Sequence, residues 1–101
     1  MSDRVDELQK ALELDPDDAD AIAQLARIYE ERAQWSDLVA LLERQAVLAA
    51  EPADVVGALL RIAVIQEERL GDVQAAVDTA RKVLEINPDS VLAQAIVAKA
   101  S

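Results

Sequence analysis

A chain of 101 residues is long enough for one domain with a modest core and too short for two. Hydrophobic residues make up 52% of it, yet Trp35 and Tyr29 are its only aromatics; with two Gly, three Pro and one Thr, this composition disfavours hairpin-rich sheets and favours helices. A formal net charge of −10 argues against nucleic acid and anionic lipid as partners, and the lack of Cys and His removes disulfides, thiolate or imidazole catalysis and metal sites of the usual ligand softness.

Six segments carry apolar residues at helical spacing, separated by turn signals. The first runs from about Asp3 to Leu14, with Val5, Leu8, Ala11 and Leu12 on one face, and stops before Asp15-Pro16. The second begins near Asp18, carries Ile22, Leu25, Ala26 and Tyr29, and ends near Ala33. The third starts after Trp35, where Ser36 is placed to cap the free amides, and carries Leu38, Leu41, Leu42, Ala46 and Leu48. The fourth opens with Pro52 and runs through Val55, Leu59, Ile62 and Ala63 to Leu70, with Gly71 as a left-handed stop. The fifth starts at Asp72, carries Val73, Ala76, Val77, Ala80 and Leu84, and ends before Asn87-Pro88. The sixth, capped by Asp89 or Ser90, takes up the remainder. Connections this short predict antiparallel helix hairpins in one unit. The N-terminal SDRVDELQK lacks the apolar run of a signal peptide, and no apolar stretch approaches a membrane span, so a soluble cytosolic protein is expected.

The chain repeats itself. LARIYEER (Leu25 to Arg32) recurs as IAVIQEER (Ile62 to Arg69), and ALELDPD (Ala11 to Asp17) as VLEINPD (Val83 to Asp89). Repetition at such a period points to stacked helix pairs, each burying its apolar face on its neighbour. These residues resemble the tetratricopeptide repeat (TPR). The first full repeat, Ala19 to about Glu51, offers Ile22, Leu25, Ala26 and Tyr29 for its first helix. The second, about Val56 to Ser90, offers Leu59, Ile62, Ala63 and Gln66, then Ala76, Ala80 and Val83 before Pro88, with Gly71 at the tight turn. Departures from the pattern are Ala33 for the turn Gly, Leu38 for a small residue, Ala50 for the closing Pro, Gln66 for the aromatic, and Leu70 as an extra residue before Gly71. The resemblance implies an all-α superhelix of antiparallel hairpins: a half repeat, two full repeats and a half repeat over residues 1–101.

The family resemblance also implies a function: a scaffold that binds other polypeptides, with no catalysis and no cofactor. Its usual ligand surface is the concave face lined by the first helix of each pair. Mapped here, that face holds Asp20, Ala23, Arg27 and Glu30, then Gly57, Leu60, Val64 and Glu67, then Leu92, Ala95 and Lys99. Family members that clamp a carboxylate place an Asn where this chain has Gln24, Arg61 and Ile96, so that clamp is expected to be absent.

Other sites fail on their chemistry. The four Ser residues have no neighbouring base to activate them, and Ser36 and Ser90 read as helix caps. The acidic run Asp15, Asp17, Asp18, Asp20 invites calcium, but a loop counted from Asp15 puts Asp20 and Ala26 where a Gly and a Glu are needed. Trp35 reads as packing at a helix start, and the Glu30-Glu31-Arg32 and Glu67-Glu68-Arg69 runs as solvated helix ends.

Comparison between repeats suggests self-association. Val64 stands where Arg27 stands, Val47 where Glu13 and Glu85 stand, Ile96 where Gln24 and Arg61 stand, and Leu92 matches Asp20. The last helix leaves only Gln94 and Lys99 polar before the final Ser, and an apolar patch of this kind usually marks an interface. The expectation is a homo-oligomer, a two-fold dimer being the simplest, joined through the last helix and the Val64 face. The rival readings are a fragment of a longer repeat array, an engineered or excised stretch of repeats, and a small-ligand-binding domain.

Overall fold

A computed structural model describes residues 4–100. Six helices follow in order: α1 Arg4–Leu14, α2 Ala19–Glu31, α3 Trp35–Leu48, α4 Pro52–Glu68, α5 Val73–Ile86 and α6 Val91–Lys99. No strand occurs among the described residues. The expected helix start at Asp3 lies outside them.

The starts of the helices follow from the capping residues in the sequence. Asp18 accepts from the Ala21 N–H at 3.1 Å, Asp72 from the Ala75 N–H at 3.1 Å, and Ser90 Oγ from the Ala93 N–H at 3.3 Å. Between the two expected caps of the last helix, it is Ser90 rather than Asp89 that acts. Pro52 sits in the first turn of α4, where its missing N–H leaves no bond unmade. Ser36 does not cap α3. The helix already includes Trp35, the cap position falls to Gln34, and no side chain accepts there. Gln34 Nε2 instead donates to Asp37 Oδ2 at 3.2 Å.

The two intra-repeat turns solve one problem differently. After α2, the Gln34 N–H reaches the Tyr29 carbonyl at 2.9 Å and the Ala33 N–H the Glu30 carbonyl at 3.1 Å, the paired closure that needs a left-handed residue between them. Ala33 supplies it with φ of 56°, although it is not glycine. After α4 the residue is Gly71, with φ of 64°. Here the extra Leu70 widens the closure: the Leu70 N–H bonds the Ile65 carbonyl and the Asp72 N–H the Gln66 carbonyl, at 3.0 and 2.8 Å. The insertion ends α4 at Glu68, short of the expected Leu70.

Packing is between helices adjacent in sequence, with α4 against α6 as the one addition among the described residues. The molecule is accordingly a slab of 48 × 28 × 15 Å. Its interior falls into two clusters. Leu8, Leu12, Leu25, Leu38, Leu42 and Ile62 belong to the first, which spans α1 to α4. The second spans α4 to α6 and is built on Ala63, Ala76, Ala80, Val83, Ala93 and Ile96. All of these but Ile96 are wholly excluded from solvent, and four of the six are alanines, so the helix backbones approach closely there.

Polar pairs complete the interior. Gln66, in the aromatic position of its repeat, meets Thr79 Oγ1 at 2.7 Å. The Tyr29 hydroxyl accepts from Gln9 Nε2 at 3.0 Å. Among the described residues no buried side-chain polar atom lacks a partner.

Candidate functional site

The first helix of each pair, α2, α4 and α6, shares one face of the slab. Residues of all three line a trough of about 340 Å³, with Glu30 on α2, Leu60, Arg61 and Val64 on α4, and Leu92 on α6. Trp35, at the start of α3, closes one end. It is half-buried against the first cluster, and the Arg69 guanidinium lies 5.0 Å from its ring centre, a cation–π arrangement.

Ion pairs brace the trough from helix to helix. Arg61 donates to Glu30 at 2.6 Å, joining α4 to α2, and Lys99 donates to Glu67 at 3.2 Å, joining α6 to α4. The side chain of Arg4 also reaches Gln24, joining α1 to α2. The first glutamate of each repeated EER run, Glu30 and Glu67, therefore also holds a neighbouring helix, while Glu31, Arg32, Glu68 and Arg69 are exposed helix ends. Such exposed pairs contribute about 0.2–1 kcal/mol each.

The structure gathers some of the expected site residues and separates others. Leu60, Val64 and Leu92 line the trough together. Ala23, Arg27 and Ala95 are exposed on the same helices but outside its lining, and Lys99 is held by Glu67. Ile96 is different: it is 5% exposed inside the second cluster. Its side chain fills the α4–α5–α6 interior and is not a surface contact, which corrects its expected place in partner binding and self-association. The last helix is not apolar on an open surface all round, because Ala93 and Ile96 turn inward and leave Val91 (77% exposed) and Leu92 (46%) outside. Val47, 84% exposed near the end of α3, lines neither this trough nor the larger groove beside it.

That larger groove, about 580 Å³, continues the trough past Arg61. It opens because α2 and α4 make no close backbone contact. Ala19, the first residue of α2, aligns with Val56, yet α4 begins at Pro52, so residues 52–55 add a turn that α2 lacks. The overhanging turn stands away from the α1–α2 connection and leaves a gap between them. Ile22, Leu42 and Ala58, all buried, form its apolar floor; Asp17 stands on one bank and Asp54 on the other. Of the residues lining this groove, sequence reasoning placed Gly57 alone on the expected ligand face and considered Arg61 as a clamp position. The signal was present in the misaligned start of α4 and in Ala50, which leaves α3 without its closing proline.

The arrangement offers an extended apolar channel with charged edges. Among the described residues no group of three or more acidic side chains is placed to hold a metal ion, and no helix is long and apolar enough to cross a membrane. Two family models described as tetratricopeptide repeat match the sequence, one over residues 7–38 and one over residues 57–90. The first match covers the α1–α2 hairpin and the second the α4–α5 hairpin. No curated protein matches the chain.

Proposed function

Since the chain belongs to the tetratricopeptide repeat family, we propose that it is a scaffold that holds a segment of another polypeptide along the face formed by α2, α4 and α6. Repeats of this family bind protein partners and the family is not one of enzymes. The observation that carries the reading is the trough itself: Leu60 and Val64 of α4 and Leu92 of α6 offer one apolar strip, beside which Arg61 is already paired with Glu30 and Arg69 lies over Trp35. A bound segment removes that strip from water, at the cost of desolvating only Glu68 among the lining charges without a partner among the described residues. Peptides selected from a displayed library, titrated into isotopically labelled protein, are expected to shift the amides of residues 60–64 and 92–95. Shifts confined to the opposite side, around Arg81 and Lys82, overturn the assignment.

A second reading, self-association, rests on α6. Val91 and Leu92 present an apolar edge next to the trough, and an exposed patch of this kind suits an isologous contact between two copies. Light scattering at micromolar concentration is expected to give twice the chain mass, falling to the single-chain mass for Val91→Arg plus Leu92→Arg. A single-chain mass for the unsubstituted protein ends this reading.

A further inference from the structure

Gly57 poses a question that the chain's own packing does not answer. It lies inside α4, where glycine is the least favoured residue after proline. Its φ is helical, and among the described residues a Cβ built on it meets nothing within 4 Å, so no contact with them calls for its bare backbone. It lines the groove between α2 and α4. A glycine at a groove wall lets another backbone lie close against the helix.

Charge then selects what lies there. Asp17 and Asp54 face the groove from different elements, and neither has a cationic partner among the described residues. Carboxylates near helix starts also answer the helix dipole: Asp54 does so in the first turn of α4, whereas Asp17 precedes a helix that already has Asp18 bonded to the Ala21 N–H for that purpose. The basic side chain in the lining, Arg61, is held by Glu30 at 2.6 Å. The whole chain carries −10, which draws cationic ligands towards the surface and repels anionic ones.

We propose that the α2–α4 groove takes an extended polypeptide segment in which an aliphatic side chain neighbours a lysine or arginine, its backbone lying against Gly57, its aliphatic group on the Ile22–Leu42–Ala58 floor and its cation between Asp17 and Asp54. This rests on the polypeptide-binding reading above and names the chemistry of the segment that the face selects.

The test uses fluorescence anisotropy with dye-labelled, end-blocked hexapeptides: Ala-Leu-Arg-Leu-Arg-Ala, the same peptide with Glu for Arg, and the same with Ala for Leu. The basic aliphatic peptide is expected to bind at least about tenfold tighter than either control, more weakly as salt rises. Gly57→Leu puts a side chain into the groove and also improves helix propensity, so its melting temperature is expected to hold or rise while affinity falls about tenfold or more. Asp17→Asn plus Asp54→Asn is expected to abolish the preference for Arg over Glu. Equal binding of the acidic and basic peptides overturns the charge selection but leaves the scaffold reading standing. Binding of the basic peptide that survives Gly57→Leu overturns the location alone. Failure of all three peptides to bind at millimolar concentration overturns this proposal, while the library titration independently decides the scaffold reading. Light scattering on the protein without peptide completes the test: an oligomer that dissociates on Gly57→Leu puts a second copy in the groove and overturns the foreign segment.

Discussion

Replacing Ala33 with Gly is expected to stabilise the protein, and Gly71→Ala to destabilise it. Both residues occupy left-handed backbone, with φ of 56° and 64°, in the same turn of two successive repeats. Ala33 is exposed and a Cβ on Gly71 meets nothing within 4 Å among the described residues, so the two substitutions differ from wild type by backbone preference and little else. Holding a Cβ-bearing residue in this region costs about 1–2 kcal/mol. Glycine's freedom in the unfolded chain returns about 0.4–1 kcal/mol of that. The net gain for Ala33→Gly is about 0.5–1 kcal/mol, which for a domain of this size raises Tm by about 2–8 °C. Gly71→Ala lowers it by a similar amount, and the double exchange leaves it near the starting value. Thermal melts followed by far-ultraviolet circular dichroism measure all three. A Tm for Ala33→Gly at or below wild type refutes the reasoning, because it removes the conformational cost on which the argument stands.

Three further outcomes follow from caps, the buried polar pair and the acidic turns. Ser90→Ala removes the bond to the Ala93 N–H and is expected to cost about 1 kcal/mol in denaturant unfolding, whereas Ser36→Ala, which removes no cap, stays within about 0.5 kcal/mol of wild type. Thr79→Val deprives Gln66 of its 2.7 Å partner in a part-buried site and is expected to cost about 1–3 kcal/mol; a neutral result by urea unfolding shows that water replaces the hydroxyl. EDTA is expected to leave the melting temperature unchanged, and a fall of several degrees shows that the Asp15–Asp20 turn holds calcium.

Helices, turns and repeat register were legible because each is written in local chemistry. Asp18, Asp72 and Ser90 cap where their side chains suit the exposed amides, and Gly71 stops α4's path where a left-handed residue is needed. Ser36 was misread because a hydroxyl one residue into a helix looks, in sequence, like one at its cap. Ile96 was misread for a different reason. Comparing repeats shows that a position has turned apolar, but not whether the new side chain faces a partner or an enlarged interior; here the alanines of α5 and α6 draw the last helix in and take Ile96 with it. The polar substitution at Gln66 became intelligible only with Thr79, which stands in the next helix where the first repeat has Leu41. The groove beside Gly57 was hidden because it arises from a missing contact between α2 and α4, and no single residue spells out an absence.

Leu59 packs against both interior clusters, and α4 is the helix from which both draw residues. The consequence concerns cooperativity. Repeat proteins fold as chains of coupled units, each contributing its own stability and that of its interface with the next. With the interior divided, communication between the α1–α3 half and the α5–α6 half passes through one helix, so unfolding of α4 abolishes both interfaces while fraying of α1 or α6 leaves the other end intact. Native-state hydrogen exchange should therefore form a gradient with its slowest amides in α4, at residues 58–65, and progressively faster ones towards either end. A ligand lying along this same helix stabilises the coupling element itself, and binding would then tighten both halves of the array at once.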